Sequence, residues 1–461
     1  MRKRTTWAQL AVGLLAVAAV LAGCSSGRSS SSPDDTSAGS ETTTPESATT
    51  FGDLASPCGP GDATGASDTG VTDSSIAIGY GDDAGFANSP GLNHQMSDAV
   101  KAMVSWCNDQ GGINGRTIDA SYYDAKITEV ANVWTEACPK EFFMVGQGFS
   151  LDAGQETIRR GCGLPSVPGF AVSPQHSSAP LKYEPSPVPA DYTVTSGAAQ
   201  LAELYPDEVK NAAATFANYS ATIDSKDKVL SAFPEFGWNF LDCPQQYNIQ
   251  GEADWKPFAQ KLKDCGAEIV YFSGSPYPNF ENLLTAANQL GYDPIWYVDV
   301  NFYDKDFAAW NTSGLADKVY FRNSIAMFEE ADQNPATQQY LDIVEASGGD
   351  ASTLGMQSAS AFLLWATAAK ACGSDLTRAC VVDQLEAIHS WNGGGLQSDA
   401  DPGANLPTQC GMLAKVTGTG FERVTPAETN TYDCDPSYAA PVTGDALARA
   451  NLDADRHSQL Q

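Results

Sequence analysis

Basic residues are scarce in this chain: 26 Lys and Arg stand against 56 Asp and Glu, a formal net charge of −30. So acidic a surface repels a phosphate backbone, which disfavours nucleic acid as a partner and favours solubility outside the cell. Histidine is scarcer still, with His94, His176, His389 and His457 alone, none of them in a metal-binding or acid/base motif. No Cys-x-x-Cys or Cys-x-x-His spacing occurs, so a zinc site is not expected. A Walker loop, a Gly-x-Ser-x-Gly elbow and a His-Glu-x-x-His helix are missing as well. That leaves no recognisable nucleophile–base pair or metallohydrolase centre, and no enzymatic activity is expected. Gly79-Tyr80-Gly81-Asp82-Asp83-Ala84-Gly85 imitates a dinucleotide loop, but its last spacing is one residue too long and its two carboxylates repel a pyrophosphate. Gly146-Gln147-Gly148 lacks the third glycine. No cofactor is therefore expected.

What the chain does have begins at its N-terminus. Arg2, Lys3 and Arg4 precede an apolar run from Leu10 to Leu21, the length of a signal-peptide core and too short for a membrane span. The run ends in Leu21-Ala22-Gly23-Cys24, which resembles the bacterial lipobox. That resemblance implies cleavage before Cys24, acyl chains on it, and an extracytoplasmic protein held on the cell membrane. Ser25 to Pro57 is rich in Ser, Thr, Pro and acidic residues and is expected to be a disordered tether, reaching on the order of 30 Å.

Of the eleven cysteines, Cys24 set aside leaves ten, an even number in an exported chain and the natural count for five disulfides. Short loops suggest Cys243 with Cys265, Cys372 with Cys380, and Cys410 with Cys434. Cys58, Cys107, Cys138 and Cys162 can pair in three ways; Cys107 with Cys138 is the expectation, since both fall on the first two helices of one lobe.

From Ser75 the pattern alternates between strands and amphipathic helices. Strands are predicted at 75–80, 118–122, 142–146, 212–217, 269–273 and 295–298. Helices are predicted at 96–107, 128–138, 153–161, 255–265, 279–290, 356–371 and 377–388. Between the first helix and second strand lies Gly111-Gly112-Ile113-Asn114-Gly115, a turn dense in residues that tolerate positive φ. Strand–helix alternation implies parallel sheets covered by helices, and its restart after the proline-rich 185–189 implies a second lobe. The fold class is α/β, two doubly wound parallel-sheet lobes joined by a hinge. Trp106, Trp134, Trp255 and Trp365 fall in helical segments and are expected in the core. Asp82 and Asp83 form a carboxylate pair, read as a solvated loop or turn rather than acid/base machinery.

These stretches together resemble the type I periplasmic solute-binding proteins of the branched-chain amino acid class. The likeness rests on Val71-Thr72 with 76–79, on Gly111-Gly112-Ile113-Asn114-Gly115-Arg116, on Asp124 after the second strand, and on 269–274 followed by 284–291. It implies a monomeric clamshell that captures a small polar solute and delivers it to the membrane permease of an ABC importer. A sensory lipoprotein of the same fold, signalling to a membrane receptor, is the alternative. The lobes implied are 72–191 with 326–407 and 192–325 with 408–435, followed by a frayed tail at 436–461.

In open α/β sheets, ligands bind outside the carboxyl ends of strands, where helix N-termini offer free N–H groups. The candidate ligand-binding residues follow from that rule: Phe86 and Asn88 after the first strand; Gln147, Phe149 and Ser150 after the third; Gly169, Phe170 and Ala171 after the fourth. From the second lobe come Tyr219, Ser275, Tyr277, Asp299 and Asn301. The resemblance would have Asp299 pair with a ligand ammonium, while the large Phe149 and Phe170 leave amides and aromatic acids open as ligands.

Overall fold

A computed structural model describes residues 50–153 and 156–443. Cys24 and the lipobox lie outside the described residues.

The first sheet has four parallel strands: β1 (Ser75–Asp82), β2 (Thr117–Asp124), β3 (Phe143–Val145) and β4 (Ser166–Val167). They lie side by side in the order β2-β1-β3-β4, with Ile78 of β1 facing Ala120 on one side and Phe143 on the other. β1 alternates at its start, with Ile76 and Ile78 buried, and is continuously buried from Ile78 to Asp82, as expected of an inner strand with helices on both faces.

The second sheet repeats this order. β5 (Ala212–Ala217), β6 (Gln245–Tyr247), β7 (Ile269–Ser273), β8 (Ile295–Val298) and β9 (Val319–Asn323) run parallel as β6-β5-β7-β8-β9. Here the sheet departs from the all-parallel expectation. β10 (Cys410–Thr417) pairs antiparallel with β9, and β11 (Gly420–Thr425) antiparallel with β10. A two-residue turn between β10 and β11 makes this hairpin possible; parallel neighbours would need a crossover helix.

The helix Thr353–Cys372 is buried on nearly every side, which explains its apolar sequence all round. It packs against the helices His94–Asp109 and Arg378–Glu386, in one core with β1 and β3. The chain therefore leaves the first sheet after β4, returns to it with these late helices, and leaves again for β10. Trp134, Trp255 and Trp365 are buried and Trp106 is partly buried, in line with the core expectation.

At the Gly-Gly-Ile-Asn-Gly turn the expectation of positive φ holds at Gly111, Gly112, Asn114 and Gly115. A Cβ on Gly112 would lie 1.9 Å from the Arg116 carbonyl oxygen, so no other residue fits. Arg116 itself is fully buried and donates to the carbonyls of Thr72, Gly373 and Gly65.

Three expectations are corrected. The disulfides include Cys243–Cys265, Cys372–Cys380 and Cys410–Cys434 as read, but Cys107 pairs with Cys58 and Cys138 with Cys162. The helices bearing Cys107 and Cys138 follow different strands, and each cysteine meets a segment that sequence spacing does not reveal. The tether ends earlier than Pro57: Thr50–Phe51 pairs with Leu54–Ala55, and Phe51 is fully buried against the Trp106 ring. Residues 436–441 are not frayed either, because Tyr438 is buried and Ala439–Pro441 pairs antiparallel with Tyr192–Val194.

Candidate functional site

Both sheets share the neighbour order in which the first strand lies between the second and third. Loops leaving the first and third strands then diverge and open a crevice at their carboxyl ends. In the first sheet that crevice lies between β1 and β3, and in the second between β5 and β7.

Asp82 ends β1 and Asp83 follows it. They are fully buried, not solvated, which overturns the reading of a solvated loop. Asp83 accepts from the Ile127 N–H at 2.7 Å through Oδ1 and from the Ser150 N–H at 2.7 Å through Oδ2. One carboxylate thus ties together the loops that follow β1, β2 and β3. Asp82 Oδ1 accepts from the Ala84 N–H and from the Tyr122 hydroxyl at 2.7 Å. Burial raises both carboxyl pKa values above their ordinary range, against the pull of these hydrogen bonds. Two adjacent aspartates in a glycine-rich loop read as polar surface; only the tertiary placement of three loops supplies the donors that make burial tolerable.

Gln147 is buried, its carbonyl accepts from the Gly169 N–H, and both polar atoms of its carboxamide are without a hydrogen-bond partner. A Cβ on Gly148 would lie 2.5 Å from both the Met96 methyl and the Phe170 ring, so glycine here lets those side chains close over the loop. Phe170 is half-buried, Gly169 abuts the Ser358 hydroxyl, and the Ala171 N–H donates to buried Glu184. Phe149 is removed from the site: it is buried edge-on against Trp134 in a side core with Tyr123 and Met144. Its neighbour Ser150 turns its N–H to Asp83, so an aromatic beside it faces the opposite way, into the core.

On the second lobe, Tyr219 precedes the helix Ser220–Ala232 and is half-buried. Burial pushes its phenol up to about 12, helped by the charges of Asp299 and Asp83. Asp299 follows β8 and Asp83 follows β1, so these two carboxylates come one from each sheet. Asn88 donates across to Gln250, which joins the loop after β1 to the loop after β6. Phe86, in the loop after β1, is half-buried. Ser275 is half-buried after β7, and Asn301 holds the same loop by donating to the Gly274 carbonyl. Tyr277 is 38% exposed and lies at the rim, where a cavity of about 290 Å³ is lined by Pro90, Gly91 and His94 on one side and Tyr277, Glu281 and Asp306 on the other.

Asp299 is already engaged. Its Oδ2 accepts from the Tyr271 hydroxyl at 2.9 Å and faces the Ser225 hydroxyl at 3.4 Å, while Oδ1 lies 3.5 Å from Arg322. Arg322, on β9, was not among the sequence candidates, although a lone charge in the otherwise apolar Val319-Tyr320-Phe321 run was a visible signal. Among the described residues no group of three His, Cys, Asp or Glu side chains is arranged to hold a metal ion, and no helix is long and apolar enough to cross a membrane.

Two α/β lobes meeting at their strand ends are the architecture of a family. The chain belongs to the periplasmic binding proteins, whose family model matches residues 80–420, and its fold is the type I form. It is similar in structure to a fatty acid ABC transporter substrate-binding protein from Thermomonospora curvata, at 14% identity over 83% of this chain and 97% of that one, with a TM-score of 0.67. A solute-binding protein from R. palustris in complex with 4-hydroxybenzoate aligns at 14% identity over 76% and 96% of the two chains, with a TM-score of 0.62. A branched-chain amino acid transporter substrate-binding protein from Streptococcus pneumoniae in complex with isoleucine aligns at 16% identity over 76% and 100%, with a TM-score of 0.58. Among curated proteins the sequence finds no match.

Proposed function

We propose that this chain is the extracytoplasmic solute-capturing component of an ABC importer, performing no chemistry itself. The observation that carries the reading is the contact across the crevice, where Asn88 of the loop after β1 donates to Gln250 of the loop after β6. A solute entering there touches both lobes at once, and so favours their closed arrangement by its extra contacts. Closure is then the state a membrane permease recognises. Similar folds in complex with isoleucine and with 4-hydroxybenzoate, and that of a fatty acid transporter's substrate-binding protein, support a small organic solute as the cargo.

In this reading residues 72–191 with 326–407 form one lobe and 192–325 with 408–435 the other. Phe86, Asn88, Gln147, Ser150, Gly169, Phe170 and Ala171 face Tyr219, Ser275, Tyr277, Asp299 and Asn301 across the cleft. Cys24 carries the lipid anchor, and residues 25 to about 49 tether the body to the membrane. Small-angle scattering of the full chain, with and without a solute found by a binding screen, tests the clamshell. A fall in radius of gyration on saturation is expected. An unchanged scattering curve at full occupancy would remove the closing motion and with it the importer reading.

A further inference from the structure

Arg322, near the end of β9, is a charged side chain whose bonding is incomplete. Its side chain is 19% exposed, and its one charged neighbour in contact is Asp299, at 3.5 Å. That is well beyond the 2.7 to 2.9 Å of a charge-assisted N–H···O bond, and none of its five N–H donors makes a hydrogen bond among the described residues. Other buried arginines of this chain behave differently. Arg116, Arg159, Arg378 and Arg423 each give three or more donors to carbonyls or carboxylates. Arg160 also has unbonded donors, but those are sealed from solvent. The nitrogens of Arg322 are not among the sealed atoms, so its free donors border open space.

Arg322 is the next-to-last residue of β9 and rests beside Asp299, just past the carboxyl end of β8, the end of the sheet at which the crevice opens. Asp299, against which Arg322 rests, leaves the carboxyl end of β8 and shares Tyr219 with Asp83 of the opposite lobe. Asp299 has both oxygens turned to donors of its own lobe, Tyr271 on one side and Arg322 on the other. An incoming ammonium would meet the guanidinium beside the carboxylate. An incoming carboxylate would meet a planar fork of unused donors, which matches it in charge and in two-point geometry.

Resting on the solute-capture reading, we propose that Arg322 anchors the acidic group of the solute. The cleft then takes a monocarboxylate without an α-ammonium group, and Asp299 holds the guanidinium rather than receiving an ammonium.

Calorimetric titration of the full chain with matched probes tests this: 4-methylpentanoate against leucine, 3-phenylpropanoate against phenylalanine, and each acid against its primary amide. At least one acid is expected to bind tenfold or more tighter than its amino acid and its amide. R322Q should lose tenfold or more on the acid, with R322K recovering part of it through charge without the fork. An acid that binds no better than its amide, or amino acids that outbind the acids and are lost in D299N, would overturn the assignment. So would an R322Q protein that melts cooperatively and binds the acid as the parent does. If sugars or amides alone bind, the solute-capture reading stands and this inference fails; if no small solute binds, both fall.

Discussion

At the scale of single residues, Glu156, Arg159 and His176 form a buried charge cluster in the first lobe. Glu156 accepts from Arg159 Nε at 2.9 Å and contacts His176, with all three side chains buried. Burial alone would raise its carboxyl pKa, but Arg159 and His176 outweigh it and bring the value down to about 2. A carboxyl whose folded pKa lies below its unfolded one stabilises the fold above the unfolded value, and that contribution fades as pH falls toward the folded one. E156Q should therefore cost about 3 kcal/mol near neutral pH, and the gap to the parent should shrink on acidification from pH 5 to pH 3. Paired thermal melts across that range check it; a gap that stays constant or grows in acid would contradict the assignment of Glu156 as the ionised member. Residues of this kind were hard to read in sequence. Asp82 and Asp83 carry the same letters as surface aspartates, and the N–H groups that hold the Asp83 carboxylate come from loops more than forty residues later. Phe149 fails for the opposite reason: position after β3 placed it at the crevice, while the alternation of side chains at a strand end turned it into the core.

At the scale of elements, local pattern carried the fold well. The strands at Ala212–Ala217, Ile269–Ser273 and Ile295–Val298 are short apolar runs bounded by polar turns, and the structure has them with those limits. Such runs belong to parallel sheets buried on both faces, so composition and length are enough. Segments whose identity depends on a distant partner were not legible. The strand Cys410–Thr417 is antiparallel because β9 offers its free edge, and the pair Thr50–Phe51 with Leu54–Ala55 exists because Phe51 finds Trp106. The turn between the first helix and β2 makes a further prediction. Gly112 has φ of 74° and a Cβ there would collide with the Arg116 carbonyl, so Gly112→Ala should lower stability by about 2 kcal/mol or more. Urea unfolding measures it; a change within 0.5 kcal/mol would mean the turn relaxes freely.

At the scale of the whole molecule, covalent bonds secure the start of the folded body to its first helix. The Cys58–Cys107 bridge closes a loop of 49 residues, and by the loop-entropy relation its removal should cost about 4 kcal/mol. Peptide mapping without reduction should recover Cys58 with Cys107 and Cys138 with Cys162; recovery of a Cys107–Cys138 peptide would contradict this core. The late helices that return to the first lobe, and β10 that leaves it again, tie the two sheets by several crossings, as a hinged body requires. From sequence alone the two lobes and their crevices were accessible through strand order. The free donors of Arg322 were not, since an unbonded guanidinium is a fact about neighbours rather than about spacing.

The central claim is that a small organic solute binds between these lobes, and thermal unfolding of the full oxidised chain tests it most directly. The panel is short-chain and aromatic acids, amino acids, amides and sugars. At a concentration about a hundred times the dissociation constant, linkage gives about 2.7 kcal/mol of stabilisation, roughly a 3 °C rise for a body of this size. A rise of that order with one chemical class, lost on Tyr219→Ala at the crevice, is the predicted result. A transition unmoved by every class, or a rise indifferent to Tyr219, would contradict solute capture in this cleft.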